Sequence, residues 1–246
     1  MQKHLPVLLF LGLAWGQSLN FKNNDKTIKI FLFVILIIIF LFLVYQIIRK
    51  IKYKSLYPFL PEKYNFGKRR DTFLKAIDLM TKSGASLLVE TGVARHGLAY
   101  SKSDGASTIV FGIFAKNNGA KLYSVDINPD NIATCQKTID EMDLSSHIEL
   151  NTSDSIKYLQ TFPQKVDFLY LDSYDYNRND PEIIQSSQNH HLEEIKAIEG
   201  KLHENSIILI DDCRLPGGGK GKKAIKYLQS NGWKILMNKY QVLLTK

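Results

Sequence analysis

The sequence predicts an α/β protein built as a three-layer sandwich, in which a mostly parallel sheet ends in an antiparallel hairpin and is preceded by a transmembrane helix. From Lys68 onward, short apolar segments alternate with segments of helical periodicity, a pattern that produces βαβ units. The last two apolar segments are separated only by residues 238–240, too few for a crossover helix, and therefore form a hairpin. An almost unbroken apolar run at residues 30–48 lies ahead of all of these.

Each element is predicted from its local pattern. Apolar residues at Phe73, Ala76, Ile77 and Met80 have helical spacing, whereas compact apolar runs such as VDFLYL indicate buried strands. Pro129 suits the first turn of a helix. The predicted strands are 86–90, 121–126, 147–150, 166–171, 206–210, 233–237 and 241–244, and the predicted helices are 70–82, 107–116, 129–142, 154–159, 190–201 and 222–230.

The N-terminal part of the chain is predicted to hold a single membrane span. Residues 30–48 are almost entirely apolar, and 19 residues in a helix span the roughly 30 Å hydrocarbon core. Residues 1–29 form a separate N-terminal segment, in which 1–16 has the layout of a signal peptide or of a second apolar segment. Residues 49–67 are a basic linker, and 68–246 are the globular domain.

Charge indicates how the chain meets a membrane. Four basic residues follow the span between 49 and 54, against three before it, so the globular domain is expected to face the cytoplasm. The same cluster contributes to the net charge of +8 and suits an anionic lipid surface. No basic stripe with interleaved aromatic residues is present elsewhere, so nucleic acid is not an expected partner. Cys135 and Cys213 lack metal-ligand spacing and are expected to be reduced thiols.

Acidic residues mark the ends of four of the five predicted parallel strands. In Rossmann-like sheets the ligand lies beyond the carboxyl ends of the strands, so these acids are expected to converge on it. Asp126 ends the second strand, where acids bind both hydroxyls of a ribose in nucleotide-binding sheets. The acids are Glu90, Asp126, Asp172 and the pair Asp211 and Asp212.

The loop after the first strand is expected to approach the ligand closely. Gly92 and Gly105 allow the backbone to come near it, and the amides at the start of the Ser107 helix can meet an anionic group. The alternative is that these glycines only form turns. A nicotinamide dinucleotide is disfavoured because Gly92 and Gly97 have the wrong spacing for its pyrophosphate loop. A P-loop at LPGGGKGKK is disfavoured because Pro216 replaces the first glycine.

The segments VETG with GAST, YSVD, NTSDS, FLYLDSYD and LIDDC, with the closing hairpin, resemble the class I S-adenosylmethionine-dependent methyltransferases over about residues 68–246. The sequence departs from that family in the dozen residues VARHGLAYSKSD between Gly92 and Gly105, which suggest a lid or an acceptor-contacting excursion. The resemblance implies that the cofactor S-adenosylmethionine is bound at its methionine end by Glu90 and Gly92, at its ribose by Asp126 and near its adenine by Ser153 and Asp154.

The acids after the fourth and fifth strands resemble the metal site of catechol-type O-methyltransferases. The resemblance implies that Asp172, Asp211 and Asp212 hold a divalent cation such as Mg²⁺, although the lysine that this group places soon after the first acid is missing and Asp175 stands there. Catalytic candidates are Asp172, His190 and His191, the two histidines being expected to open a helix and at most one to reach the site. His96 is a weaker candidate base. Tyr170, Tyr174 and Tyr176 are expected either to line an aromatic acceptor pocket or to pack.

Taken together, these features predict a membrane-anchored methyltransferase that uses S-adenosylmethionine on an oxygen of a small-molecule or sugar-like acceptor, with a divalent metal as an option. Two alternatives stay open. One is a tethered nucleoside-binding or scaffold domain without turnover, and the other is a nicotinamide-dependent oxidoreductase. The sequence leaves the acceptor and the oligomeric state open.

Overall fold

A computed structural model describes residues 25–53 and 64–246. The chain divides into two compact units, 1–52 and 53–246, which are described separately. The predictions for residues 1–24, including the signal-peptide hypothesis, and for most of the linker at 54–63 lie outside the described residues.

The described part of the N-terminal unit forms one helix, α1 (Asp25–Tyr53), which extends beyond the predicted 30–48 at both ends. Its segment Ile28–Ile48 is long and apolar enough to cross a membrane, and none of that segment is buried. Large apolar side chains including Phe31, Ile38 and Phe42 are about 60% exposed. Exposed apolar area of this extent is unfavourable in water.

The C-terminal unit alternates helices and strands in the predicted order. Its elements are α2 (Arg70–Ser83), β1 (Leu87–Thr91), α3 (Ser107–Asn118), β2 (Lys121–Asp126), α4 (Pro129–Glu141), β3 (Ile148–Thr152), α5 (Ser155–Thr161), β4 (Val166–Leu171), α6 (Pro181–Ile198), β5 (Leu202–Ile210), α7 (Lys222–Ser230), β6 (Lys234–Asn238) and β7 (Val242–Thr245). Short 3₁₀ turns lie at Gly67–Arg69, Glu199–Lys201 and Pro216–Gly218.

The strands form one seven-stranded sheet in the order β3-β2-β1-β4-β5-β7-β6. β1 to β5 pair in parallel, while β7 pairs antiparallel with both β5 and β6. The predicted fold class is therefore confirmed. Because β1 lies between β2 and β4, the strand order reverses at β1 and β4, and a crevice opens there at the carboxyl ends of the strands.

Three helices cover each face of the sheet. Successive strand residues alternate between the two cores: Leu88 faces one and Val89 the other. The first core joins β-strand residues to α2, α3 and α4 through Phe73, Phe111, Phe114 and Ile139 among others. The second joins them to α5, α6 and α7 through Leu159, Ile195, Ile198 and Leu228 among others. This packing fixes the strand ends from which the site residues project.

The predicted start of α6 at His190 is wrong. The helix begins nine residues earlier, at Pro181, because the Asp180 side chain caps it by accepting hydrogen bonds from the amides of Glu182 and Ile183. Proline at the first helical position completes this start signal. His190 and His191 consequently lie in the middle of a long helix and not at its exposed start.

Candidate functional site

A cavity of about 460 Å³ opens where the strand order reverses, at the carboxyl ends of β1, β2, β4 and β5. A smaller cavity of about 210 Å³ adjoins it, and the two share Gly92, Asp126, Ile127 and Ser173 in their walls. The two volumes thus form one crevice at the location that the sheet topology predicts for a ligand.

Gly92 lets the backbone turn tightly at the floor of this crevice. Its φ is +81°, and a Cβ atom there would lie 2.5 Å from the carbonyl oxygen of Asp172. The Gly92 amide donates to the Val125 carbonyl over 2.8 Å, which ties the end of β1 to β2. Any larger residue would push the end of β1 away from β4, so glycine is required here for close approach as well as for its backbone angle.

The excursion after Gly92 forms a wall of the large cavity. Val93, Arg95, Ser103 and Asp104 line the cavity, and the Arg95 guanidinium meets the Asp175 carboxylate across its mouth at 3.3 Å. The Ala94 amide donates to Thr108 Oγ1 over 2.8 Å, which fastens the excursion to α3. His96, the weaker base candidate, pairs with Asp104 and does not line either cavity.

Gly105 closes the excursion where an arginine crosses beneath it. Its φ is +85°, and a Cβ atom there would lie 2.5 Å from Arg69 Cδ. Arg69 Nη1 donates to the Ser103 carbonyl over 2.5 Å. Gly105 itself is not among the residues that line the cavities, whereas Ser107, at the start of α3, is buried and lines the large one. Gly105 therefore leaves room for the Arg69 side chain, which lines the large cavity.

Asp126 ends β2 with its carboxylate in the walls of both cavities. Its Oδ1 accepts from the Asn128 amide over 2.8 Å, and its Oδ2 accepts from the Val93 amide over 3.3 Å. The Asn131 side chain donates to both oxygens over 3.3 Å. A carboxylate offers about four acceptor sites, and these four contacts use them, so a ligand hydroxyl would be accepted in exchange for the long contacts from Asn131.

Glu90 lies beneath the crevice and does not line either cavity. It is fully buried, with Ser124 Oγ donating to Oε2 over 2.6 Å, while Oε1 is without a partner among the described residues. Burial raises the pKa of Glu90 to about 7, against the lowering effect of hydrogen bonds from Ser107 and Ser124. Glu90 therefore lies behind the residues that line the crevice and is not itself one of them.

Asp172, Asp211 and Asp212 meet at the ends of β4 and β5, but two basic side chains lie among them. Lys220 Nζ is 2.6 Å from Asp172 Oδ1 and 3.2 Å from Asp212 Oδ2. Arg69 Nε is 2.6 Å from Asp211 Oδ2, and its Nη2 is 3.2 Å from Asp212 Oδ1. Asp211, which is fully buried, also accepts from the Tyr170 hydroxyl and the Gln241 amide.

These residues do not fit a divalent cation. Within residues 25–53 and 64–246, no group of three or more His, Cys, Asp or Glu side chains could hold a metal ion. A hard cation needs carboxylate oxygens converging at 2.0–2.6 Å, whereas these oxygens are directed at ammonium and guanidinium groups. The metal-ligand role expected for Asp172, Asp211 and Asp212 is therefore not supported by their arrangement.

The charges in this cluster shift the pKa values of its members in opposite directions. Burial would lower the pKa of Lys220, but the carboxylates of Asp172 and Asp212 raise it above its usual value, so the side chain stays protonated. Burial and the neighbouring carboxylates Asp211 and Asp212 raise the pKa of Asp172, although Lys220 opposes them. Asp172 and Asp212 both line the large cavity, but the pKa of Asp212 is lowered against burial by Lys220 and Arg69, so Asp172 is the better proton acceptor of the two.

The smaller cavity is lined by Asp154, Ser155, Tyr174 and His190 around the exposed side chain of Ile127. Asp154 caps α5, its Oδ1 accepting from the Lys157 amide over 3.0 Å. The Ser153 amide donates a hydrogen bond to the Asp126 carbonyl over 3.0 Å, but Ser153 does not line the cavity. An apolar surface edged by one acceptor and one imidazole suits a flat heterocycle with polar edges.

His190 and His191 differ sharply in environment. His190 Nε2 lies 2.9 Å from Ser155 Oγ and 3.4 Å from Glu194 Oε1, and it faces the smaller cavity. Burial lowers the pKa of His190, but the hydrogen bond that His190 donates to the Glu194 carboxylate outweighs burial, and the pKa is raised. His191 is fully buried, donates from Nδ1 to the Ser187 carbonyl over 2.8 Å, and has its pKa lowered to about 4 by burial. His191 therefore cannot contact a ligand in the crevice.

The three tyrosines separate in the same way. Tyr170 is fully buried between α2 and α3 and packs against Phe73 and Phe111. Tyr176 lines the large cavity and donates its hydroxyl to the Pro216 carbonyl, while Tyr174 lines the small one. Tyr170 is thus a packing residue, whereas Tyr174 and Tyr176 line the crevice.

The prediction from sequence did not include two of the basic residues in this crevice. Arg69 precedes α2 and belongs to no motif, so no local signal marks it. Lys220 lies in the glycine-rich segment that was judged a poor P-loop, and its nearness to two acids is visible only in the folded sheet.

Comparisons with known proteins agree with this architecture. Residues 102–213 match a family model described as a methyltransferase domain, and no curated protein matches the chain. A provisionally assigned caffeoyl-CoA O-methyltransferase from Staphylococcus aureus is 9% identical, with 72% of this chain and 82% of that chain covered at a TM-score of 0.53. An SAH-bound methyltransferase from Podospora anserina is 14% identical, with 71% and 77% covered at a TM-score of 0.51. Residues 102–213 therefore resemble a methyltransferase domain, and the C-terminal unit has the fold of these solved methyltransferases.

Proposed function

We propose that the protein is a membrane-anchored S-adenosylmethionine-dependent methyltransferase that acts on a hydroxyl oxygen of a small polar acceptor. The observation that carries this proposal is the two-part crevice at the switch point, with the Asp126 carboxylate in the walls of both parts. A nucleoside with a charged side chain needs one region for its base, one for its ribose and one for its charged end, and the crevice offers all three.

The cofactor-binding residues present fit this ligand. Asp126 can accept ribose hydroxyls in exchange for its 3.3 Å contacts from Asn131. Asp154 and His190 line the smaller cavity, where the adenine is expected. Gly92 keeps the floor free of side-chain atoms, and Ser107 at the start of α3 lies in the large cavity for the methionine end. When bound, the cofactor supplies an electrophilic methyl group.

The remaining wall of the large cavity is where the acceptor would bind. Arg95, Asp175 and Tyr176 lie along it with Leu215 and Tyr240, so most of its groups are polar and suit a hydroxylated acceptor. When bound, the cofactor would supply its methyl group to the acceptor hydroxyl, and Asp172, which lines this cavity, would accept the hydroxyl proton. The raised pKa of Asp172 favours this role as the proton acceptor.

Membrane attachment is proposed from α1. None of its apolar segment of 21 residues is buried within the N-terminal unit, and a helix of that length spans the hydrocarbon core of a bilayer. The excess of basic residues after the segment supports a cytoplasmic location for the globular domain. The acceptor would then be a cytoplasmic compound or one presented at that membrane surface.

A calorimetric titration of the full-length protein in detergent with S-adenosylmethionine tests the cofactor assignment. Asp126→Asn removes the charge that would accept the ribose hydroxyls, and loss of such hydrogen bonds is expected to weaken binding about tenfold or more. Asp130→Asn is the matched control, because Asp130 is exposed in the first turn of α4 and lines neither cavity. Equal affinities for the wild type and Asp126→Asn would refute the ribose assignment.

Release of S-adenosylhomocysteine then separates an enzyme from a tethered binding domain. The full-length protein is incubated with S-adenosylmethionine and a panel of hydroxylated acceptors. An enzyme releases S-adenosylhomocysteine with at least one acceptor and loses this release on Asp172→Asn, with cofactor affinity retained. Cofactor binding without release across the panel favours the non-catalytic alternative.

A further inference from the structure

Lys220 is held in a fixed position by the segment between β5 and α7. Gln188 Nε2 donates to the carbonyls of Gly217 and Gly219 over 3.1 and 3.0 Å, so α6 anchors the glycine-rich turn that precedes the lysine. The Lys220 amide donates to the Asp212 carbonyl over 3.3 Å. A side chain at Gly219 would collide with the backbone of Asp212 and Cys213, so the turn also depends on glycine there. The Lys220 side chain is only 5% exposed.

The Lys220 ammonium lies between Asp172 and Asp212, the two carboxylates of the acid cluster that line the large cavity. Its Nζ is 2.6 Å from Asp172 Oδ1 and 3.2 Å from Asp212 Oδ2, and all three residues line that cavity. Arg69 neutralises the third carboxylate, Asp211, from the other side. Three carboxylates thus face two fixed cations, and the space between Asp172 and Asp212 is taken by a protein cation.

We propose that Lys220 takes the place of a divalent cation in this crevice and is a catalytic residue of the transfer, which proceeds without metal. This inference rests on the proposed function for its acceptor. An ammonium group has three hydrogens, and two of them are directed at Asp172 and Asp212. The third can donate to the acceptor oxygen, in the part of the cavity that the described residues enclose.

The chemistry assigned to Lys220 is electrostatic. As the acceptor hydroxyl loses its proton to Asp172, negative charge develops on the oxygen, and a fixed positive charge beside it stabilises that charge. Because the ammonium is already bound to both carboxylates, it requires little reorganisation when the charge develops. Lys220 keeps its proton throughout, so the only proton that moves is the one from the acceptor to Asp172.

Manganese binding tests whether the ammonium occupies the cation position. Mn²⁺ is titrated into the full-length protein in detergent, and free Mn²⁺ is followed by electron paramagnetic resonance. Lys220→Met removes the charge and keeps an unbranched side chain, which leaves Asp172 and Asp212 free to bind a cation. We expect this variant to bind one Mn²⁺ at least tenfold more tightly than the wild type does. Equal affinities, or tighter binding by the wild type that is lost on Asp172→Asn, overturn the proposal.

Two further variants make the result specific. Lys222→Met removes a neighbouring exposed charge and is expected to behave as the wild type does toward Mn²⁺. Lys220→Arg keeps a cation between the carboxylates and is also expected to bind no more Mn²⁺ than the wild type. The thermal unfolding midpoint of each variant, measured in the same buffer, establishes that it is folded before the titrations are compared.

A titration with S-adenosylmethionine in the presence of EDTA keeps this inference separate from the proposed function. Failure of the wild type to bind the cofactor refutes the proposed function and leaves the Mn²⁺ comparison valid. In an assay that releases S-adenosylhomocysteine, we expect EDTA to leave the rate unchanged and Lys220→Met to lower kcat more than it raises the KM for the cofactor. A rate that EDTA abolishes and Mg²⁺ restores overturns the metal-free mechanism alone.

Discussion

Arg69 Nε donates to Asp211 Oδ2 over 2.6 Å, and this contact joins the segment before α2 to the end of β5 inside the protein. Both side chains are nearly or fully buried, and the carboxylates of Asp211 and Asp172 raise the pKa of Arg69 although burial opposes them. The arginine also donates to Ser103, so one side chain connects the acid cluster to the excursion that walls the crevice. Arg69 therefore contributes both to the wall of the crevice and to the stability of the fold.

Arg69→Met is expected to lower the free energy of unfolding by about 3 kcal/mol, because it leaves the buried Asp211 without its cation. Tyr170 and Gln241 still donate to Asp211, which keeps the loss at the lower end for a buried pair. Denaturant unfolding of the full-length protein in detergent measures the change. Lys75→Met, which removes one partner of a half-exposed pair with Asp78, is the control and is expected to cost less than about 1 kcal/mol.

A double variant identifies the cause of that loss. In Arg69→Met combined with Asp211→Asn, no buried charge is left unpaired, so part of the lost stability should return. A double variant whose loss equals the sum of the two single losses would show that Arg69 stabilises the fold independently of Asp211.

Glu90 is expected to make the protein less stable as the pH rises. Its pKa is raised from 4.5 to about 7 by burial, so the folded protein binds a proton that the unfolded chain has lost between these two values. Stability is therefore highest below about pH 4.5 for this group, falls through the window and is constant above about pH 7. The full difference corresponds to about 3 kcal/mol.

Glu90→Gln isolates this contribution from other titrating groups. Unfolding free energies of the wild type and the variant are measured from about pH 4 to about pH 8. The wild-type value minus the variant value should fall by about 3 kcal/mol across the range. A difference that stays constant with pH would mean that Glu90 has the same pKa in the folded and unfolded states.

The alternation of helices and strands was predictable from the sequence because each strand is a compact apolar run. The ends of β2 and β4 placed Asp126 and Asp172 at the crevice, since parallel strands end at a common edge. Helix α6 was predicted to start at His190 although Asp180 and Pro181 carry a helix start signal, because the apolar periodicity begins only later. The prediction therefore put His190 and His191 at the start of the helix, whereas they lie in its middle.

The contacts of the basic residues could not be predicted, since they depend on packing between distant segments. Arg69 and Asp211 are 142 positions apart, and neither position shows the pairing in its local sequence. The same holds for Lys220 and Asp172, which are 48 positions apart. In the sequence the acids alone resemble a metal site, so a divalent metal stayed an option. In the folded protein Arg69 and Lys220 pair with these acids, and the cluster does not fit a metal.

His190 and His191 are expected to respond differently to substitution. His190→Ala removes the imidazole from the wall of the smaller cavity and should weaken S-adenosylmethionine binding about tenfold, the equivalent of one lost hydrogen bond. His191→Asn keeps a donor for the Ser187 carbonyl and should leave the affinity unchanged while lowering the unfolding midpoint. Calorimetric titrations and thermal unfolding of both variants test this. Weaker binding in His191→Asn alone would reverse the assignment of the smaller cavity.

Helix α1 is expected to anchor the protein through the apolarity of its central turns. Replacing Ile37 and Leu41 by arginine places two charges on one face near the middle of the apolar segment, at a cost of about 6 kcal/mol for insertion. The wild type should stay with the membrane pellet after alkaline carbonate extraction, and the double arginine variant should be released. Alanine at both positions keeps the segment uncharged and should leave the protein in the pellet. Release of the wild type itself would contradict a membrane span, because only peripheral attachment is broken by this treatment.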